Sequence, residues 1–132
     1  MWATDTNLLV RYYTQDDPAQ ARRALAWLEN NAPCFVPLSV VQELYWVLEN
    51  CYEMAASNVL SVVDHLCSSP AFVVESGAMV RRAIQVARQG VEFSDALHWA
   101  LSGACEGLAT FDDRRFARKA KKLALQPIVV VL

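Results

Sequence analysis

Residues 34–48 read CFVPLSVVQELYWVL, and they contain the local pattern that recurs along the whole chain. The segment Cys34-Phe35-Val36 is short, apolar and rich in β-formers, which predicts a strand. Ser39, with Gln42 three residues later, is typical of a capping box and predicts the start of a helix. That helix carries an apolar face formed by Val40, Leu44, Val47 and Leu48. A short strand followed at once by an amphipathic helix is the building unit of an α/β fold.

The same alternation extends in both directions from this segment. Further strands are predicted at residues 2–4, 71–74, 108–111 and 128–131. Further helices are predicted around residues 8–12, 18–30, 59–66, 78–88, 94–104 and 114–122, with Gly90 ending one and Ser94 capping the next. Strands separated by helices pair in parallel through right-handed crossovers. We therefore predict a single domain over residues 1–132, a three-layer α/β/α sandwich around a central, mainly parallel sheet of about five strands.

Composition narrows the class of protein. Apolar residues make up 55% of the 132 residues, above the usual ~45–50%, and either a dense core or a covering partner explains this excess. The four cysteines have no close spacing of the zinc or redox type, which predicts buried, reduced thiols. No signal sequence and no apolar run of about 18 residues is present, so we expect a cytoplasmic protein without a membrane span.

The basic residues are unevenly placed. Although the formal net charge is −2, half of the 12 lysines and arginines lie close together, at Arg114, Arg115, Arg118, Lys119, Lys121 and Lys122. A solvated helix face explains this cluster as well as phosphate contacts do. The pI of about 5.6 argues against strong non-specific binding of nucleic acid.

Acidic residues follow the predicted strands, where the chemistry of parallel α/β sheets takes place. Four segments place carboxylates at the edge of the sheet where the strands end, namely Asp5, Glu43, Asp95 and the doublet Asp112-Asp113. Each has an ordinary explanation as a helix-terminal, turn or solvated residue. Glu43 is harder to explain in this way, because its neighbours look buried and no lysine or arginine lies between Arg23 and Arg81 to pair with it.

Grouped carboxylates need a cation. Two of them about 4 Å apart repel by roughly 4 kcal/mol at an effective dielectric constant near 20, and a cluster loses charge unless a cation joins it. Mg²⁺ and Mn²⁺ prefer oxygen ligands. Because such ions lower the pKa of an attacking water and stabilise charge on a phosphodiester, the acids predict hydrolysis of a nucleic-acid backbone.

Four short motifs contain these acids, namely Asp5-Thr6-Asn7 with Leu9-Val10-Arg11-Tyr12, Glu43-Leu44, Ser94-Asp95-Ala96-Leu97 and Thr110-Phe111-Asp112. Their order along nearly the whole chain resembles that of the PIN-domain nucleases, and most closely that of the VapC-type toxins of bacterial toxin–antitoxin pairs.

The resemblance implies an endoribonuclease that needs Mg²⁺ or Mn²⁺ and cuts single-stranded regions of structured RNA, such as transfer or ribosomal RNA. It also implies a homodimer and an antitoxin protein that silences the enzyme. Four residues match the family's acidic positions, namely Asp5, Glu43, Asp95 and Asp112. In this interpretation Asp5, Asp95 and Asp112 hold the metal, and Glu43 orients or deprotonates the nucleophilic water.

The remaining expected site residues are supporting ones. Asn7 and Thr110 match polar positions that support the acids by hydrogen bonding, and Asp113 either replaces Asp112 as a ligand or supports it and caps the next helix. Phosphate contacts are assigned to Arg114, Arg115, Arg118 and Lys119. A catalytically silent domain of the same fold, which binds protein or RNA, is the alternative function; loss of an acid would favour it, and none is missing.

Overall fold

The structure is a computed structural model that describes every residue from Met1 to Leu132. The chain forms two compact units, Met1–Gly77 and Ala78–Leu132, which we call the N-terminal and C-terminal units. The single domain over residues 1–132 stays a prediction. None of the helices has the length and apolar character that crossing a membrane requires.

The N-terminal unit follows the predicted order of helices and strands. Its elements are α1 (Thr6–Thr14), α2 (Pro18–Asn31), β1 (Cys34–Val36), α3 (Leu38–Asn50), α4 (Ala56–Ser68) and β2 (Phe72–Val74). β1 and β2 pair in parallel, with Phe35 opposite Val73. The predicted parallel pairing through helical crossovers is therefore confirmed for this unit.

The first predicted strand, residues 2–4, is limited to one parallel bridge between Ala3 and Phe35. The Phe35 amide donates to the Trp2 carbonyl at 2.8 Å, and the Thr4 amide donates to the Phe35 carbonyl at 2.9 Å. Asp5 is the N-cap residue of α1, and the helix begins at Thr6. The extended segment therefore cannot continue beyond Asp5.

Helix packing builds the core of the N-terminal unit. α1 packs against α2 and α3, α3 packs against α4, and α4 packs against β2. The most deeply buried side chains of these elements include Leu9, Val36, Leu44, Leu48, Val59, Val63 and Leu66. Since burial of one such side chain contributes about 1.5–3 kcal/mol, this apolar core fixes the ends of the helices that carry acidic residues.

The predicted capping box of α3 is wrong. α3 begins at Leu38 after Pro37, and neither Ser39 nor Gln42 caps it. Instead, the Leu38 amide donates to Oε1 of Glu75 at 2.8 Å, and Glu75 directly follows β2. A carboxylate from the neighbouring strand therefore satisfies the positive end of α3, which a local sequence pattern cannot reveal.

The C-terminal unit contains α5 (Gly77–Ala87, whose first residue closes the preceding unit), α6 (Phe93–Leu101), β3 (Gly107–Thr110), α7 (Phe116–Lys122) and β4 (Ile128–Val131). β3 and β4 pair in parallel, with Thr110 opposite Val131. The structure thus has four short strands in two parallel pairs rather than the expected sheet of about five.

Trp99 links α6 to the segment that enters β4. Its indole Nε1 donates to the carbonyl of Pro127 at 3.0 Å, and the Arg82 guanidinium lies 4.3 Å from the centre of its ring. Arg82 also donates to the Gln126 carbonyl at 2.9 Å. Because Trp99 is buried, this cation–π and hydrogen-bonded contact fixes α5, α6 and β4 as one body.

Several local predictions differ from the structure. Ser94 does not cap α6, which begins one residue earlier, after Glu92 and without a side-chain cap. α7 begins at Phe116 rather than at residue 114. The cysteines are all reduced, as expected, but Cys51 and Cys105 are exposed rather than buried.

We expect Glu75→Ala to lower the free energy of unfolding by about 1 kcal/mol, because it leaves the first amides of α3 without their partner. Glu75→Gln, which keeps an acceptor oxygen, should cost less. Urea unfolding followed by circular dichroism measures both. Glu29→Ala, at an exposed position near the end of α2, is the matched control and should not destabilise the protein. Equal stabilities of the Glu75→Ala variant and the wild type would contradict this role.

Candidate functional site

The four expected acidic residues divide equally between the two units: Asp5 and Glu43 belong to the N-terminal unit, and Asp95 and Asp112 to the C-terminal unit.

Asp5 lies directly after the parallel bridge at Ala3 and caps α1. Its Oδ1 accepts a hydrogen bond from the Leu8 amide at 3.1 Å. The residue is exposed, whereas Thr4 and Thr6 on either side are buried. One carboxylate oxygen is thus used by the helix, and Oδ2 remains available to a ligand.

Asn7, two residues further on, is exposed on α1. Its side chain makes no hydrogen bond to Asp5, and its supporting role toward the acids stays a prediction. Asn7 instead lines a groove between α1 and α2 together with Arg11 and Arg23.

Glu43 lies on α3 and is exposed, although its neighbours Val41 and Leu44 are buried. The expectation that its apolar surroundings bury it is therefore wrong. At about 100° of rotation per residue, Glu43 shares an outward stripe with Trp46, which is 59% exposed. The carboxylate therefore lies at the surface and not in the core.

Asp95 lies in the first turn of α6 and is half-buried. Partial burial raises its pKa, and the negative charges of Glu92 and Asp112 raise the pKa further, while His98 opposes them. The carboxyls of Asp95 and Asp112 are therefore close enough to repel each other. Such a site favours either a proton or a cation.

Asp112 is held in a fixed position at the end of β3. Its amide donates to Oγ1 of Thr110 at 3.0 Å, and its Oδ1 accepts from the Arg115 amide at 2.9 Å. Thr110 is itself fixed, because its carbonyl accepts from the Leu132 amide at 3.0 Å. Thr110 thus orients the chain at Asp112, in the manner expected of a supporting residue.

Asp113 points elsewhere in the same unit. It is exposed and lines a groove between α7 and β4 of about 520 Å³. The carboxylate that caps the turn into α7 belongs to Asp112, not to Asp113, so the expected capping role of Asp113 is wrong. Asp112, which raises the pKa of Asp95, is the better candidate for the fourth acidic position.

The basic residues assigned to phosphate contact, Arg114, Arg115, Arg118 and Lys119, are all exposed. No ion pair involves the three arginines, so their charges are available to an anion. Lys119 differs, because its ammonium donates to the carbonyl of Gly90. Its charge also serves the fold of the C-terminal unit.

Glu92 and His98 were not predicted as site residues, yet both act on the Asp95 carboxyl. They lie three residues before and three residues after Asp95. Side chains at this spacing are neighbours on a helix, so the i, i+3 pattern was the available signal. Phe111 lies between Thr110 and Asp112, and its side chain is 82% exposed. The sequence places it only within a motif and predicts no role for it.

The donor chemistry of the Asp95–Asp112 pair suits a divalent cation. Both groups offer oxygen ligands, and their mutual repulsion falls when a cation binds. No group of three or more His, Cys, Asp or Glu side chains is placed to hold a metal ion together. The convergence of all four carboxylates on one ion stays a prediction.

The PIN domain family model matches residues 3–122. The chain belongs to the PIN domain family. PIN domains have a three-layer α/β/α fold and are generally metal-dependent nucleases that use Mg²⁺ or Mn²⁺. The family assignment therefore agrees with the parallel strand pairs and with the expected class of hydrolase. None of the curated proteins compared with this PIN domain matches it.

We expect Glu92→Gln to lower the pKa of Asp95 in metal-free protein. Asp112→Asn should lower it by less, because Glu92 raises this pKa more than Asp112 does. An NMR titration of the Asp95 carboxyl carbon measures both shifts. Because the folded protein holds this proton more tightly than the unfolded chain does, stability falls as pH rises through the titration. Glu106→Gln, at an exposed position of the same unit, is the control. An Asp95 pKa that neither site variant moves would contradict the clustering.

Proposed function

We propose that this PIN domain is a Mg²⁺- or Mn²⁺-dependent endoribonuclease that hydrolyses RNA phosphodiester bonds. The observation that carries the proposal is the half-buried Asp95 carboxyl, whose pKa is raised by burial and by the negative charges of Glu92 and Asp112. A folded protein that keeps like charges close together at a desolvated position gains no stability from them. Perturbed carboxyls of this kind mark functional sites.

We assign the roles residue by residue. Asp5, Asp95 and Asp112 would hold the metal, each with at least one carboxylate oxygen that no strong protein contact occupies. Glu43, exposed on α3, orients the nucleophilic water or takes its proton. A bound divalent ion lowers the pKa of an attacking water and stabilises charge on the phosphodiester.

The supporting residues act through position and charge. Thr110 fixes the backbone of Asp112, and we retain Asn7 and Asp113 as supporting polar residues on the strength of the resemblance alone. Arg114, Arg115 and Arg118 offer unpaired charges to RNA phosphates. Lys119 contributes less, since its ammonium already has a partner in Gly90.

The biological part of the proposal is a toxin of a toxin–antitoxin pair. It rests on the resemblance of the acidic motifs to VapC-type toxins, which also suggests a structured RNA target, a cognate antitoxin, a homodimer and a cytoplasmic location. The apolar content of 55% fits a surface that a partner covers.

We expect Asp95→Asn and Asp112→Asn each to reduce cleavage of RNA by on the order of a hundredfold or more, with an unchanged circular-dichroism spectrum. The Asp95 change removes a desolvated charge, so it should not weaken the fold at neutral pH. Glu106→Gln, at an exposed position of the same unit, is the matched control and should retain cleavage, and Asp113→Asn should reduce cleavage less than Asp112→Asn does. Cleavage is measured on a labelled oligoribonucleotide with Mn²⁺, and EDTA should abolish it.

Three outcomes of this experiment would contradict the proposal in whole or in part. Full activity of the Asp95→Asn enzyme would remove Asp95 from the site, and loss of activity in Asp113→Asn but not in Asp112→Asn would exchange the roles of the doublet. Absence of cleavage by the wild type with every metal tested would favour the silent binding module.

Induction of this chain alone in bacterial cells should arrest growth and create new RNA ends, because a toxin without its antitoxin is active. Growth curves and mapping of RNA ends measure the effect. Cells that make the Asp95→Asn variant at equal levels should grow normally. If both strains grow alike while the purified wild type cleaves RNA, the toxin role is wrong and the nuclease stands.

A further inference from the structure

A groove of about 330 Å³ lies between α1 and α2 in the N-terminal unit. Its walls include Asn7, Arg11, Gln20, Arg23 and Trp27. It begins at Asn7, in the first turn of the helix that Asp5 caps. The groove is therefore built from the same helix as one of the proposed metal ligands, and apart from Asn7 none of its residues has a role in the proposed mechanism.

The groove is rich in hydrogen-bond donors, because Arg11 and Arg23 both line it. The Arg11 guanidinium is fixed by a 2.7 Å bond from Nε to Oε1 of Gln20 and by 3.1 Å bonds from Nη1 to Asp16 and to Tyr52. Because Gln20 uses its oxygen in this contact, its amide nitrogen is left to face a ligand. These contacts hold the groove ready before any ligand arrives.

Arg23 adds an unpaired charge. It is exposed on α2, forms no ion pair and lines the groove. No carboxylate is among the lining residues, and only the charge of Arg11 is balanced, by Asp16. The groove therefore has a net positive charge and an excess of donors, which is complementary to a phosphate backbone.

Trp27 supplies an aromatic wall. The residue is half-buried, and the ring of Trp2 meets it edge to face with centroids 6.1 Å apart. A positively charged groove with an aromatic side chain is the usual combination in proteins that bind single-stranded nucleic acid. Trp27 belongs neither to the basic cluster at residues 114–122 nor to the four acidic residues.

We propose that the α1–α2 groove is a second RNA-binding site, in which Arg23 contacts a phosphate and the face of Trp27 packs against a base or sugar of the same strand. The proposal rests on the proposed function, because it gives the substrate strand a path beside the helix capped by Asp5. The groove selects a flexible single strand, since a phosphate and a base must enter it together.

The test compares two neighbouring arginines of α2. Arg23 lines the groove, whereas Arg22 is equally exposed and does not. Binding of a fluorescent ten-nucleotide single-stranded RNA is measured by anisotropy in EDTA at several salt concentrations. Arg23→Ala should weaken binding several-fold and reduce the slope of log affinity against log salt by about 0.7, the effect of one lost phosphate contact. Arg22→Ala should change neither.

Tryptophan fluorescence provides a second measurement. RNA should quench the emission of the wild-type protein, and Trp27→Phe, which keeps an aromatic ring, should remove most of that quenching. Quenching that persists in Trp27→Phe would show that another tryptophan reports binding and would overturn the role of this wall.

The remaining outcomes separate the two proposals. Equal losses of RNA affinity in Arg22→Ala and Arg23→Ala, or no loss in either, would overturn the proposed binding site. Cleavage by the wild type would then still support the nuclease. Binding that depends on Arg23 in a protein that never cleaves RNA would support the groove and overturn the nuclease. An Arg23 that affects association with a protein but not with RNA would also overturn the proposal.

Discussion

The contact between Trp99, Arg82 and the Pro127 carbonyl is the constraint on which the C-terminal unit depends. An indole N–H buried without an acceptor would cost about 1–3 kcal/mol, so its bond at 3.0 Å fixes α6 against the start of β4. β4 in turn pairs with β3, at whose end Asp112 lies. The contact thus links α6, which carries Asp95, through β4 to the strand that precedes Asp112, and the negative charge of Asp112 is one of the causes that raise the pKa of Asp95.

The sequence predicted the candidate site at the level of residue type and chain position, because acids after strands are a local feature. It could not predict the environment of each acid. Glu43 looked buried from its neighbours, yet the rotation of α3 turns it outward beside Trp46. Glu92, which directly precedes α6, acts on Asp95 three residues later, and the raised pKa of Asp95 also depends on burial that composition does not contain. The resemblance favoured Asp112 over its neighbour Asp113, and the structure distinguishes them by the turn that the Arg115 amide closes and by the effect of Asp112 on Asp95.

The order of helices and strands was predictable because hydrophobic periodicity is local and strong. The ends of the elements were less so. Ser39 and Ser94 look like caps, but α3 is capped by Glu75 from the next strand and α6 begins before its serine. The strand at residues 2–4 failed for a different reason, since the cap at Asp5 stops the extended segment after one bridge. For α3 a tertiary contact overrides a local pattern of moderate strength, whereas α6 begins without any side-chain cap.

Asp5 satisfies two demands that differ chemically. To begin α1, the chain needs only a short side chain with an acceptor oxygen for the Leu8 amide, and serine or asparagine fulfils that demand about as well as aspartate. Aspartate also brings a negative charge, which the positive end of the helix favours. In the proposed function, the same charge would attract a divalent cation, so one side chain would serve both the start of a helix and the binding of a metal.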